Sequence, residues 1–173
     1  PVRDLARQAM NAIYRRTRPR HLEPRPVPAE GFTSAALSEQ DAKAAAKTAN
    51  VDELIAFARD GRAAARANAW RLFDLLGELD EYTTALGMVA LKDDESKVRV
   101  LAARALVHAP QAQILDVTHG LVKAHVRGDR HVRAAVDAAM EALGLRTLGP
   151  LVALLDERDH DVARELSVQL ARH

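Results

Sequence analysis

The chain has 173 residues, 48% hydrophobic and 28% charged, with a net charge of +1. That balance excludes a disordered polymer and leaves room for one sizeable core or an array of about four to five helical hairpins. The aromatic content of 3% makes the core aliphatic, and the absence of cysteine excludes disulfides, thiolate metal sites and a thiol nucleophile.

The charge is unevenly spread. Residues 1–31 hold seven arginines against Asp4, Glu23 and Glu30, which leaves +4 there and −3 on the rest. A basic N-terminal arm therefore precedes a mildly acidic body, a pattern that steers toward acidic partners. No run approaches the roughly 18 apolar residues that a membrane span requires. The first 20 residues carry arginines without an apolar signal core, so the expected location is cytoplasmic.

In chain order, Val2, Leu5, Ala6, Ala9, Met10 and Ile13 recur three or four apart and predict an amphipathic helix over 2–17. Residues 18–31 contain Pro19, Pro24, Pro26, Pro28 and Gly31, a composition that favours extended or polyproline-like chain and hence a linker. The predicted division is 1–31 as helix and linker, and 32–173 as the folded domain. Ser38 with Asp41 gives a capping-box-like start to a helix reaching about residue 49, and Asn50 with Glu53 opens another through residue 59.

The chain then repeats itself. Segments 60–66 (DGRAAAR), 93–99 (DDESKVR), 127–133 (RGDRHVR) and 157–163 (ERDHDVA) align without gaps, with Ala65, Val98, Val132 and Val162 at the sixth place. A helix is expected before each turn, over 51–59, about 82–92, about 111–126 and about 147–156. An apolar stripe follows each turn, as in Val132, Val136 and Met140, or Val162, Leu166 and Leu170. Each unit is then helix A, a polar turn and helix B, and neither helix buries its apolar side without the adjacent unit.

These residues resemble the HEAT repeat family, most closely over 90–109 (ALKDDESKVRVLAARALVHA). There Leu91, Asp93, Val98, Arg99, Ala102, Ala103 and Leu106 occupy the family's places, and the likeness covers about 51–173. It implies an all-α, right-handed α–α superhelix of about four hairpins, with A helices on one face, B helices on the other, and the concave B-helix surface and turns as the binding regions. It also implies a ladder between units through the turn Asp and the Arg six residues on, matched by Asp60 with Arg66 and Asp93 with Arg99. Arg127 stands at the Asp place of the third unit and Ala163 at the Arg place of the fourth, so an incomplete ladder is expected toward the C-terminus.

Motifs for chemistry are missing. No His pair has the i, i+3 or i, i+4 spacing of a helical metal site, and no nucleophile elbow, Walker loop or dinucleotide glycine pattern occurs. His131 and His160 lie in successive turns beside Asp129, Asp159 and Asp161, where exposed turn residues account for them. Trp70 and Phe73, with Asp74 beside them, invite comparison with HEAT-like DNA glycosylases, but Trp70, Phe73 and Gly77 follow a core spacing.

The expectation is a non-catalytic scaffold or adaptor for another protein, with no catalytic residue, cofactor or metal. Its candidate partner-binding residues are Arg127, Arg130 and Arg133 in the third turn and Arg15, Arg16 and Arg18 in the arm. Segment 1–31 either caps the array or captures a partner or second copy. The runner-up is nucleic-acid binding through the same arginines and Arg20, of the glycosylase-like kind, and a HEAT-like chromophore lyase comes third.

Overall fold

The computed structural model of the chain describes residues 32–154 and 159–171, and every regular element among them is helical. They are α1 (Glu39–Ala46), α2 (Val51–Phe57), α3 (Ala63–Leu76), α4 (Glu81–Ala90), α5 (Ser96–Ala105), α6 (Ile114–Arg127), α7 (Arg130–Leu143), α8 (Leu148–Ala153) and α9 (His160–Leu170). Short 3-10 turns occupy Leu106–His108, Gln111–Gln113 and Gly144–Thr147. The predicted helix 2–17 and linker 18–31 lie outside the described residues.

Local chemistry sets the ends of these helices. Ser38 accepts a hydrogen bond from the Asp41 amide, and Asn50 accepts one from Asp52 rather than from Glu53. Asp80 and Thr83 form a reciprocal capping box, while Asp129 and Asp159 each accept amide hydrogens from α7 and α9. Gly77 closes α3 at φ 73°, a left-handed position suited to glycine. It is therefore the helix terminator rather than a member of the core stripe expected with Trp70 and Phe73. The A-type helices are shorter than their sequence spans, most of all α8, which stops at Ala153 where about 156 was expected.

The helices that follow the turns at 60–62, 93–95 and 127–129 form one row. Among these, α3 packs against α5 and α5 against α7, while α1 and α2 lie on α3, α4 on α5, and α6 on α7. Alanine makes the close approach feasible: Ala65, Ala69, Ala102, Ala103 and Ala105 are wholly buried and leave the backbones little to hold apart. Between them Trp70, Leu72, Val98, Leu106, Leu121 and Val136 fill the core. The last pair differs, since α8 and α9 pack against each other and against α6.

Asn68, 2% exposed, fastens the N-terminal entry of the chain to α3. Its amide donates to the Phe32 and Ala35 carbonyls at 2.7 and 2.8 Å and accepts from the Leu37 amide at 3.0 Å. Arg71 reaches the Leu37 carbonyl at 2.6 Å. No helix among the described residues is long and apolar enough to cross a membrane.

Candidate functional site: the turn edge and the groove between α4 and α6

The fourth residue of each helix after an Asp-bearing turn decides how the turns are joined. In α3 it is Arg66, whose Nε and Nη2 donate to the two Asp93 oxygens at 2.7 and 2.9 Å while Nη1 reaches the Asp60 and Gly61 carbonyls. The pair is largely buried, with 18% and 12% of the side chains exposed, and the fork is bidentate. In α5 it is Arg99, which binds the Asp93 and Asp94 carbonyls and, through Nη2, Asp129 Oδ2 at 3.1 Å. In α7 it is Arg133, whose Nε donates to the Gly128 carbonyl at 3.0 Å. In α9 the place is held by Ala163.

The gap-free alignment of the third unit keeps its register, but the carboxylate moves along the turn. The carboxylate that meets Arg99 belongs to Asp129, two residues beyond Arg127 in a turn that keeps the register of the others, since α7 begins three residues after 127 as α3 does after 60 and α5 after 93. Asp129 also caps α7 through the His131 and Val132 amides. Arg127 instead lies at the exposed end of α6, 3.4 Å from Asp159 Oδ2. Arg130 is exposed at the first turn of α7, and Arg133 is exposed as well. Arg127 and Arg133 thus make contacts within the protein, and Arg15, Arg16 and Arg18 lie outside the described residues.

The ladder carboxylates stay ionised in acid. For Asp93, burial acts to raise the pKa, but the Arg66 fork, the Glu95 amide and the nearby guanidinium charges outweigh it and bring the value below the ordinary carboxylate range. The Ser96 hydroxyl and the Val132 and His131 amides, with Arg99, hold Asp129 down at about 2. Asp60, which has no arginine from a preceding unit, is engaged by Arg62 instead, and that hydrogen-bonded pairing lowers its pKa strongly.

A groove of about 900 Å³ opens between α4 and α6. Its floor is apolar, built from Ala85, Met88, Leu91, Gly120 and Ala124, with Val89 at its edge 67% exposed. Lys92, Lys123 and Arg127 stand among its lining, interspersed with Asp94 and Asp116. Two lining residues carry buried polar atoms without a protein hydrogen-bond partner, the Thr84 hydroxyl and Gln113 Oε1. Gln113 Nε2 donates to the Glu81 carbonyl at 3.3 Å, so both atoms fall within one turn along α4.

The groove lies between two A-type helices, whereas the sequence pointed to the B-helix layer. Size of the facing side chains accounts for this: α3, α5 and α7 meet through alanine, while α4 and α6 face each other with Met88, Lys92 and Lys123, which hold them apart. Sequence reasoning missed the groove for that reason, and the long polar residues recurring on both A helices were the signal available. It also missed Arg146, which donates to Gln111 and to the Val107 and Ala109 carbonyls on the opposite edge of the hairpins.

The other candidates resolve into structure. Trp70 is wholly buried, its ring 5.2 Å from that of Phe73, so neither presents a face for stacking a base. Asp74 pairs with Arg104 at 3.2 Å and His108 at 3.5 Å. His131 and His160 are exposed in the first turns of α7 and α9, and no cluster of three metal-ligating side chains exists among the described residues. His125 is bracketed, with Nε2 3.4 Å from Asp137 and Nδ1 3.4 Å from Glu165, and Gln169 bridges those two acids. Compared with protein-family models, curated proteins and solved structures, the chain gives no match.

Proposed function

We propose that this chain is a HEAT-like helical solenoid of about four hairpins that holds a segment of another protein in the groove between α4 and α6, making and breaking no bond. The observation that carries the reading is the groove itself. An apolar floor supplies area for a side-chain anchor, and Lys92, Asp94 and Asp116 among the lining offer charged, hydrogen-bonding partners for the polar groups of a peptide. The regular two-helix unit, with Asp93 and Asp129 joining successive turns, supplies a rigid frame for such a groove.

Selection from a random peptide display library tests this. Peptides with an apolar anchor should be enriched, and Val89→Glu at the groove edge should weaken their binding by about tenfold or more, as expected when a charge meets an apolar contact. Selection of no peptide, together with duplex DNA binding whose affinity falls steeply with salt, would transfer the reading to nucleic-acid recognition.

A further inference from the structure

Apolar packing holds the last hairpin on its inner side only. Leu151 of α8 and Val162 and Leu166 of α9 are wholly buried, whereas Leu145, Leu148, Val152 and Val168 are exposed. The place of the ladder arginine is taken in α9 by Ala163, and Arg127 reaches Asp159 only from the exposed end of α6. Polar contacts farther along α9 therefore weigh more in fastening it. The most enclosed of them surround His125, whose side chain is 15% exposed near the C-terminal end of α6.

Four side chains from three helices close a ring there. His125 Nε2 faces Asp137 Oδ1 of α7 and His125 Nδ1 faces Glu165 Oε1 of α9, each at 3.4 Å. Gln169, one turn farther along α9 and buried, donates from Nε2 to the same two oxygens at 3.3 and 2.7 Å. Nitrogen and oxygen thus alternate around the ring. A neutral imidazole has one N–H and one lone pair, so one of its nitrogens would turn that lone pair on a carboxylate; the imidazolium presents an N–H to both. It also sets a positive charge between two acids that otherwise stand together as like charges. The remaining charged groups on the elements around α6 are engaged or placed elsewhere. Arg133 binds the Gly128 carbonyl, Asp129 binds Ser96 and Arg99, and Arg146 reaches Gln111. Arg164 pairs with Asp161, while Arg130, His131 and Glu141 of α7 are exposed. Asp116, His119 and Lys123 of α6 line the groove toward α4, whose Glu81 adjoins Gln113 at the opposite end of α6, and α8 carries no charged residue. We propose that protonation of His125 clasps α9 onto α6 and α7, so that the last hairpin is fastened in mild acid and loosens as the ring gives up its proton.

Hydrogen exchange of the full chain at about pH 5.5 and about pH 7.5, on either side of the range where ordinary histidines titrate, tests this. After correction for intrinsic exchange, the amides of α9 should be protected several-fold more at the lower pH, with a much smaller change in α5. His125→Gln retains a donor but cannot take up the charge, and should make α9 protection the same at both pH values. Glu165→Gln, which keeps the ring, should shrink the difference too, whereas His108→Gln, which removes the pairing with Asp74 of α3, should leave it intact. The proposal is overturned by wild-type α9 protection that is equal at both pH values or greater at the higher one. It is also overturned by a difference that persists in His125→Gln, or in Glu165→Gln should the first variant not fold.

Discussion

The middle and the end of this molecule use one turn motif to different effect. Between α3 and α5 the Arg66–Asp93 fork is bidentate and mostly buried, flanked by alanines that let the helices close up. At α9 the turn keeps its capping Asp159 but the arginine place is Ala163, and what holds the helix is apolar packing with the His125 bracket. A capping aspartate starts a helix, while the strongest ties from one turn to the next come from Arg66 and Arg99; the last turn is reached from the third by Arg127, at 3.4 Å from the exposed end of α6. The last hairpin therefore has fewer ties to its neighbours, and exposes more apolar surface.

Core truncations should separate the two regions most strongly. Trp70→Ala removes the largest wholly buried side chain and should lower global stability by about 3–5 kcal/mol in chemical denaturation. Leu166→Ala in α9 also empties a fully buried site and should lose about 2–4 kcal/mol. Its loss should be local: hydrogen exchange should show protection falling across α8 and α9 while α3 and α5 keep theirs. Uniform loss of protection after Leu166→Ala would mean that the last hairpin is as firmly integrated as the middle.

The ladder arginines should grade in the same direction. Arg66→Ala leaves the mostly buried Asp93 without its forked cation and should destabilise by about 3 kcal/mol. Arg99→Ala breaks one single-point, more exposed ion pair along with two carbonyl contacts and should lose about 1 kcal/mol, and Arg127→Ala close to nothing. Thermal melts of the three variants check the order, and an Arg127→Ala loss equal to that of Arg66→Ala would remove burial as the deciding factor.

The sign of the pH effect follows from Asp93. Its folded pKa lies below the unfolded value, so its contribution is complete above the ordinary carboxylate range and disappears as pH falls through the folded pKa. Stability of the wild type should therefore decline as the pH drops below about 4, with a slope that Asp93→Asn reduces. Equal acid slopes for both proteins would assign the decline to other carboxylates.

The periodicity of the sequence made the helical character legible, because it is a property of spacing, while the Asp–Arg pairing was an expectation that came only with the resemblance. In the third turn the place of Asp93 is held by Arg127, and the carboxylate that meets Arg99 comes two residues later in the same register, from Asp129, which also caps α7. The groove was illegible for another reason. It depends on Met88, Lys92 and Lys123 facing across two helices remote in sequence, and periodicity says which residues share a side but not how far apart two sides stand.

Two glycines on α6 and at its end measure how far the groove walls can move. A methyl added at Gly128 would lie 2.5 Å from the Ala124 carbonyl oxygen and 2.7 Å from Val132, and a backbone oxygen has nowhere to go. Gly128→Ala should thus destabilise by about 1–3 kcal/mol, the usual range for overpacking. At Gly120 the methyl would meet only the terminal atoms of Met88, a flexible thioether beside an open groove. Met88 can swing into that space, and replacing glycine within a helix gains about 0.8–1 kcal/mol of propensity. Gly120→Ala should leave the melting temperature unchanged or slightly raised while filling the floor, so any peptide selected on the wild type should bind it several-fold more weakly. A large loss of stability instead would show that α4 and α6 are locked together at this point and that the groove has no give.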